Sequence, residues 1–136
     1  MNLFLDTSCL VSFFLLDSHS SKARPVLEKV AKGEISGIIS ALSLVELGGT
    51  VRRIANENIA GEVMDELAEM TGKGLIKVVP LRNNDAIAAT ELAVSIALKG
   101  ADAVIVSAAK QAGCELFTFD EEIKVRAKGV IKLYGY

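Results

Sequence analysis

A chain of 136 residues, 51% hydrophobic and 24% charged, is long enough to bury a core without disulfide or metal staples and too apolar to stay disordered. Its 15 basic and 17 acidic residues leave a formal charge of −2, which argues against strong non-specific binding to duplex nucleic acid but leaves room for a local basic rim. The two cysteines, Cys9 and Cys114, lie far apart among apolar neighbours and read as buried free thiols, which fits a reducing cytoplasm. The apolar N-terminus has no positive n-region and is interrupted at Asp6, unlike a signal peptide. Glu91, Lys99 and Asp102 break the longest apolar stretch, residues 86–109, so a cytoplasmic protein with no membrane span is expected.

Residues 2–5 form a short apolar run that stops at Asp6 and predict a buried strand. Residues 7–16 predict a helix, 17–21 a polar break containing His19, and 21–32 a second helix in which Pro25 is tolerable only near the first turn. Gly33 ends that helix, and residues 35–40 predict a strand weakened by Gly37. Residues 41–56 and 57–70 predict two more helices, the latter with Ile59, Val63, Leu67 and Met70 along one face. A strand follows at 75–79, then an alanine-rich helix over 84–98 that Asn83 or Asn84 would cap. Gly100 breaks the chain, and residues 101–112 predict a helix closed by Gly113. Residues 115–119 predict a fourth strand, 121–127 a short helix and 130–133 a fifth strand. Strands alternate with helices throughout, with no repeat or linker. The expectation is one α/β domain over residues 1–136, with a mostly parallel five-stranded sheet and helices on both faces.

Four carboxylates stand out against this pattern. Asp6 ends the first strand and Asp120 the fourth, and open parallel sheets bind ligands outside the carboxyl ends of their strands, where strand order reverses. Either aspartate could instead simply cap the helix that follows. Glu46 is the only charged residue between Ile35 and Val51. A lone carboxylate in such a segment either faces water or is compensated, and a metal cation would compensate it. Asp102 stands at the start of an otherwise apolar helix, as a cap or as a fourth ligand. Oxygen donors of this kind suit hard Mg²⁺ or Mn²⁺. His19 in its polar loop reads as a surface residue, and no His/Cys cluster supports zinc.

Residues Leu5-Asp6-Thr7-Ser8, Leu44-Val45-Glu46-Leu47, the stretch from Gly100-Ala101-Asp102 to Ala109, and Thr118-Phe119-Asp120-Glu121-Glu122 resemble, in order and spacing, the four motifs of PIN-domain ribonucleases. The resemblance implies an α/β/α sandwich of strand order 3-2-1-4-5, with the reversal between the strands that carry Asp6 and Asp120. It implies Mg²⁺- or Mn²⁺-dependent endonucleolytic cleavage of single-stranded RNA, with Asp6, Glu46, Asp102 and Asp120 as metal ligands. Ser8 matches a hydroxyl position that supports the first Asp or a metal-bound water, and Thr7 could share that role. Many short microbial members are VapC-type toxins of toxin–antitoxin pairs, which implies a protein antitoxin and a homodimer.

An acidic protein that holds RNA needs a local basic rim. Arg52 and Arg53, about two turns beyond Glu46, are the first candidates, and Lys124, Arg126 and Lys128 after Asp120 the second; each could equally be a solvated surface charge. The weakly charged helices from Ala41 and from Asn84 are the expected subunit contact. A dehalogenase-like phosphatase would need a second Asp where Ser8 stands, and a receiver domain would need an acidic neighbour beside Asp6. A catalytically silent PIN-like binding domain and a housekeeping RNA-processing nuclease remain as alternatives.

Overall fold

Leu3, Phe4 and Leu5 of strand β1 (Asn2–Leu5) are all fully buried, as an unbroken apolar run must be when helices cover both faces of a strand. The computed structural model describes residues 1–135. The chain continues through α1 (Thr7–Phe14), α2 (Ser20–Ala31), β2 (Ser36–Ser40), α3 (Ala41–Ile54), α4 (Glu57–Gly72) and β3 (Ile76–Val79). It then forms α5 (Asn83–Ile96), α6 (Gly100–Ala112), β4 (Glu115–Phe117) and α7 (Glu121–Arg126). The strands run parallel in the order β3-β2-β1-β4. Leu3, Leu5 and Ile39 face one core with α1 to α4, while Phe4 and Leu116 face a second core with α5 to α7. The result is the expected α/β/α sandwich, and its strand order reverses between β1 and β4.

The sheet has four strands where the sequence predicts five. β4 ends at Phe117, leaving room for a single parallel bridge, Leu116 to Leu133. Leu116 N–H donates to the Lys132 carbonyl at 3.0 Å, and Tyr134 N–H to the Leu116 carbonyl at 2.8 Å. The segment at 130–133 therefore takes the fifth position without becoming a strand. Gly37 sits where the layers come closest. A Cβ there would lie 3.1–3.2 Å from side chains of Val30, Ile76 and Leu5, so the glycine is a packing requirement and not a flaw in β2.

Smaller departures have local causes. Pro25 lies inside α2 and not in its first turn; it is exposed, so water can satisfy the carbonyl left without a donor. In α4 Ala60, not Ile59, joins Val63, Leu67 and Met70 in the core. Neither Asn83 nor Asn84 caps α5. Arg82 holds the cap position, and its N–H donates to the Asp85 carboxylate at 2.8 Å. Gly100 begins α6 instead of breaking the chain, because Ala97 in the left-handed region already ends α5. The break turns the chain by 111° between α5 and α6, and no single helix among the described residues is long and apolar enough to cross a membrane.

Candidate functional site

Asp6 is where the local rules meet. It follows the buried end of β1, its N–H donates to the Phe117 carbonyl at 2.9 Å, and α1 starts at the next residue. Only 6% of it is exposed. Its Oδ2 accepts two hydroxyl hydrogen bonds, from Ser8 and from Thr118, each at 2.7 Å. Burial raises its pKa, and the charge of Asp120 raises it further; the Ser8 and Thr118 bonds and the Thr7 N–H oppose that rise without cancelling it. Asp6 holds the cap position of α1 but makes no side-chain cap bond there.

Asp120 does cap its helix, its Oδ1 accepting from Ile123 N–H at 3.0 Å. Thr118 ties it to Asp6, since the Asp120 N–H donates to Thr118 Oγ1 at 3.0 Å. Asp102 lies in the first turn of α6, where the helix dipole favours a negative charge. Its pKa is nevertheless raised from 3.8 to about 6, first by desolvation and then by the charges of Asp120 and Asp6. Lys99 lowers it and Glu122 raises it. The loops that end β1 and β4 and the start of α6 thus bring Asp6, Asp102 and Asp120 into one electrostatic neighbourhood at the strand-order reversal.

Glu46 stands apart from that trio. Half-buried on α3, it accepts from Thr7 Oγ1 at 2.8 Å, and Thr7 Oγ1 is 2.9 Å from the buried Ser43 Oγ. Through Thr7 it is tied to the neighbour of Asp6. Arg52 and Arg53 are exposed in the last turn of α3, and among the described residues neither makes an ion pair. On α7 Lys124 pairs with Glu121 and Arg126 with Glu122, each at 3.2 Å, while Lys128 is exposed just beyond. His19 is exposed, but its ring stacks on Phe119. Cys9 is buried and its Sγ donates to the Phe117 carbonyl at 3.1 Å; Cys114 is only half-buried.

Sequence reading missed Thr118 as a site residue. It is fully buried and bridges Asp6 to the Asp120 backbone. The signal was present, a hydroxyl residue inside the apolar run Leu116-Phe117-Thr118-Phe119. Glu122 was not separable from Glu121 in the sequence; only Glu122 adds to the field on Asp102.

A divalent cation suits this donor set. The groups are hard oxygens, and the pKa values of Asp6 and Asp102 are raised first by burial and then by the charge of neighbouring carboxylates, a cost that a bound cation would relieve. As the side chains stand, no three carboxylate, imidazole or thiol groups among the described residues converge closely enough to hold an ion. The donors are gathered, but the cage is open.

A profile of the PIN domain matches residues 3–129, and the chain belongs to that family. No curated protein sequence matches the chain. Among solved structures it resembles VapC20 of Mycobacterium tuberculosis, a sarcin–ricin loop cleaving toxin. The TM-score is 0.74 at 16% identity, over 90% of this chain and 93% of that one. It also resembles VapBC2 from Rickettsia felis, solved bound to a DNA fragment from its promoter, with a TM-score of 0.72 at 19% identity over 98% and 97% of the two chains. FitAcB from Neisseria gonorrhoeae follows at 0.71 and 19%, over 98% and 96%. At these identities the likeness is one of fold.

The raised pKa of Asp102 has a testable consequence. Because its folded value of about 6 lies above 3.8, its contribution to stability is fully present only below the lower value and is lost as pH rises through the higher one. Asp102→Asn abolishes that titration. The metal-free variant is expected to melt above the wild type at about pH 7 and with it at about pH 4. Thermal melts at both pH values check this, and an unchanged difference between them would refute it.

Proposed function

We propose that this chain is a metal-dependent endoribonuclease that cuts single-stranded RNA, and that it acts as the toxin of a toxin–antitoxin pair. The observation that carries the reading is the trio Asp6, Asp102 and Asp120, coupled at the strand-order reversal of a PIN domain. Asp6, Asp102, Asp120 and Glu46 would hold one or two Mg²⁺ or Mn²⁺ ions. Such an ion would supply activation of water and stabilisation of the leaving oxygen of a phosphodiester. Ser8 and Thr118 fix the Asp6 carboxylate from one side, which leaves its other oxygen for a ligand. Thr7 does the same for Glu46.

The structural neighbours solved as toxin–antitoxin assemblies support a protein antitoxin. A guanidinium placed by such a partner among the carboxylates would offset their charge with fork-shaped donors. The open arrangement of the donors favours a second reading, a PIN-like domain that binds metal or RNA without cutting. A nuclease assay with added Mn²⁺ separates the two. A housekeeping RNA-processing role shares the same chemistry and differs in what expression does to the cell.

Asp6→Asn keeps the shape and removes the charge, and is expected to lower cleavage of single-stranded RNA by roughly a hundredfold or more. Thr118→Val keeps the shape and removes the hydroxyl, with an expected loss of roughly ten- to a hundredfold. Expression of the wild type in a bacterial host should arrest growth, and Asp6→Asn should not. Wild-type cleavage by purified Asp6→Asn protein would sink the assignment.

Arg52 and Arg53 are the better rim candidates because the α7 cations Lys124 and Arg126 already face glutamates. Replacing both arginines by Ala should weaken RNA binding and make log affinity fall less steeply with log salt, by roughly 0.7 per lost phosphate contact, with metal affinity unchanged. An unaltered slope, measured by binding titrations at two salt concentrations, would move the rim elsewhere.

Homodimerisation is the third element. Val94 (81% exposed) and Ile87 (58%) on α5, with Val45 (74%) and Ile54 (65%) on α3, are large apolar side chains left in water. Light scattering at tens of micromolar is expected to give a mass twice the 14.4 kDa of one chain. A monomer at that concentration would remove the claim.

A further inference from the structure

The turn between α1 and α2 carries a side chain that the carboxylate chemistry does not use. Asp17 accepts from His19 N–H at 2.8 Å and from Ser12 Oγ at 2.8 Å. Ser20 Oγ donates to the Ser12 carbonyl at 2.7 Å and accepts from Asp17 N–H at 2.9 Å. Both serines are 3% exposed, so the turn is pinned from inside. What it presents is the His19 ring, stacked on Phe119 with centroids 4.6 Å apart and planes 10° from parallel. Phe119 is 6% exposed and is itself braced edge-on by Phe117, with centroids 5.2 Å apart. One face of the imidazole rests on a fixed floor, and the residue as a whole is exposed to solvent.

That floor belongs to the site. Phe119 N–H donates to Ser8 Oγ at 3.1 Å, the same hydroxyl that donates to Asp6, and Asp120 is the next residue. A flat π surface held in place beside a phosphodiester-cutting centre is what an unstacked nucleobase binds, and every base has a π face to offer. Beyond β4, Lys124, Lys128 and Lys132 line a cavity of about 390 Å³.

The geometry points to His19, on its Phe119 support, as a stacking platform for a nucleobase of the RNA strand that enters the carboxylate crevice. The inference rests on the RNA-cleavage reading. Pinning the turn before the ligand arrives lowers the ordering cost of binding. A purine, with the larger ring system, is the preferred occupant.

A side chain that merely shields Phe119 from water would be replaceable by any apolar group of similar size. His19→Leu keeps the cover and removes the flat face, whereas His19→Phe keeps both. The probes are a short oligoadenylate and an abasic chain of the same length and charge, titrated with Ca²⁺ as the added ion. The wild type is expected to bind the oligoadenylate more tightly than the abasic chain. His19→Leu should lose roughly five- to a hundredfold in affinity for the oligoadenylate and nothing for the abasic chain. His19→Phe should recover the loss, and the melting temperatures of all three proteins should agree. His19 is the chain's only histidine, so its ring gives a unique proton resonance, which should shift when the oligoadenylate is added and not when the abasic chain is. If the wild type binds RNA but His19→Leu binds both chains as the wild type does, the platform is refuted and the RNA reading stands. If the wild type binds neither chain, the RNA reading falls and the platform with it.

Discussion

A carboxylate withdrawn from water at the end of the central strand constrains nearly everything around it. Asp6 cannot be left bare, because an unpaired buried charge costs several kcal/mol. No cation of the chain approaches it closely enough to form an ion pair among the described residues. Hydroxyls do the work instead, with Ser8 from the first turn of α1 and Thr118 from the segment after β4. Thr118 reaches it from just beyond the end of β4 at Phe117, and the segment 130–133 pairs with β4 through the single bridge at Leu116. The chain beyond Phe117 also delivers Asp120 beside Asp6 and starts α7. The Asp6 carboxylate and its hydroxyl partners thus link the end of β1, the end of β4 and the starts of two helices.

The sheet makes that placement rigid. Leu3, Phe4 and Leu5 are buried in two different cores, and a one-residue slip of β1 would draw the exposed Asn2 into one of them. Gly37 lets β2 lie against Val30 of α2 with no room for a Cβ, so this layer cannot shift either. The aspartates are held by close packing at the sheet and by hydroxyls at the crevice. Glu46 is held by a helix, and that helix contains Gly48-Gly49, each costing about 1 kcal/mol of helix propensity against alanine. A Cβ at Gly48 would lie 3.7 Å from Met64 Sδ of α4, an ordinary contact, and one at Gly49 would meet open space. Contacts explain neither glycine.

The alternation of strands and helices was legible because each element has the period its burial demands, and the parallel sheet followed from it. Asp6 and Asp120 were legible because both end apolar strands. The capping alternative is realised at Asp120 and not at Asp6, a distinction that depends on whether the following N–H groups point at the carboxylate, which no sequence pattern states. Thr118 was hidden because a threonine in an apolar run reads as a β-former until its partner is known. The fifth strand failed for a related reason. Residues 130–133 have strand composition, but a strand exists only where its neighbour has free backbone groups, and β4 offers those of Leu116 alone. The same blindness to partners hid His19, a loop residue by sequence whose ring is fixed by a phenylalanine a hundred residues away.

The charges beside the crevice explain why its negative field survives. Lys99 is the one cation that lowers the pKa of Asp102, yet its ammonium lies 3.7 Å from Glu122, whose charge acts on Asp102 in the opposite sense. Arg126 is drawn to Glu122 at 3.2 Å and Lys124 to Glu121 at 3.2 Å. Exposed pairs of this kind contribute little to stability. Their effect is to keep the local cations engaged with glutamates and away from the three aspartates. Burial and mutual repulsion leave the aspartates with a raised proton affinity, and a cation from outside the chain would compete with that proton for the same oxygens. Arg52 and Arg53 at the end of α3, and Lys128 and Lys132 beyond α7, are exposed and make no ion pair among the described residues.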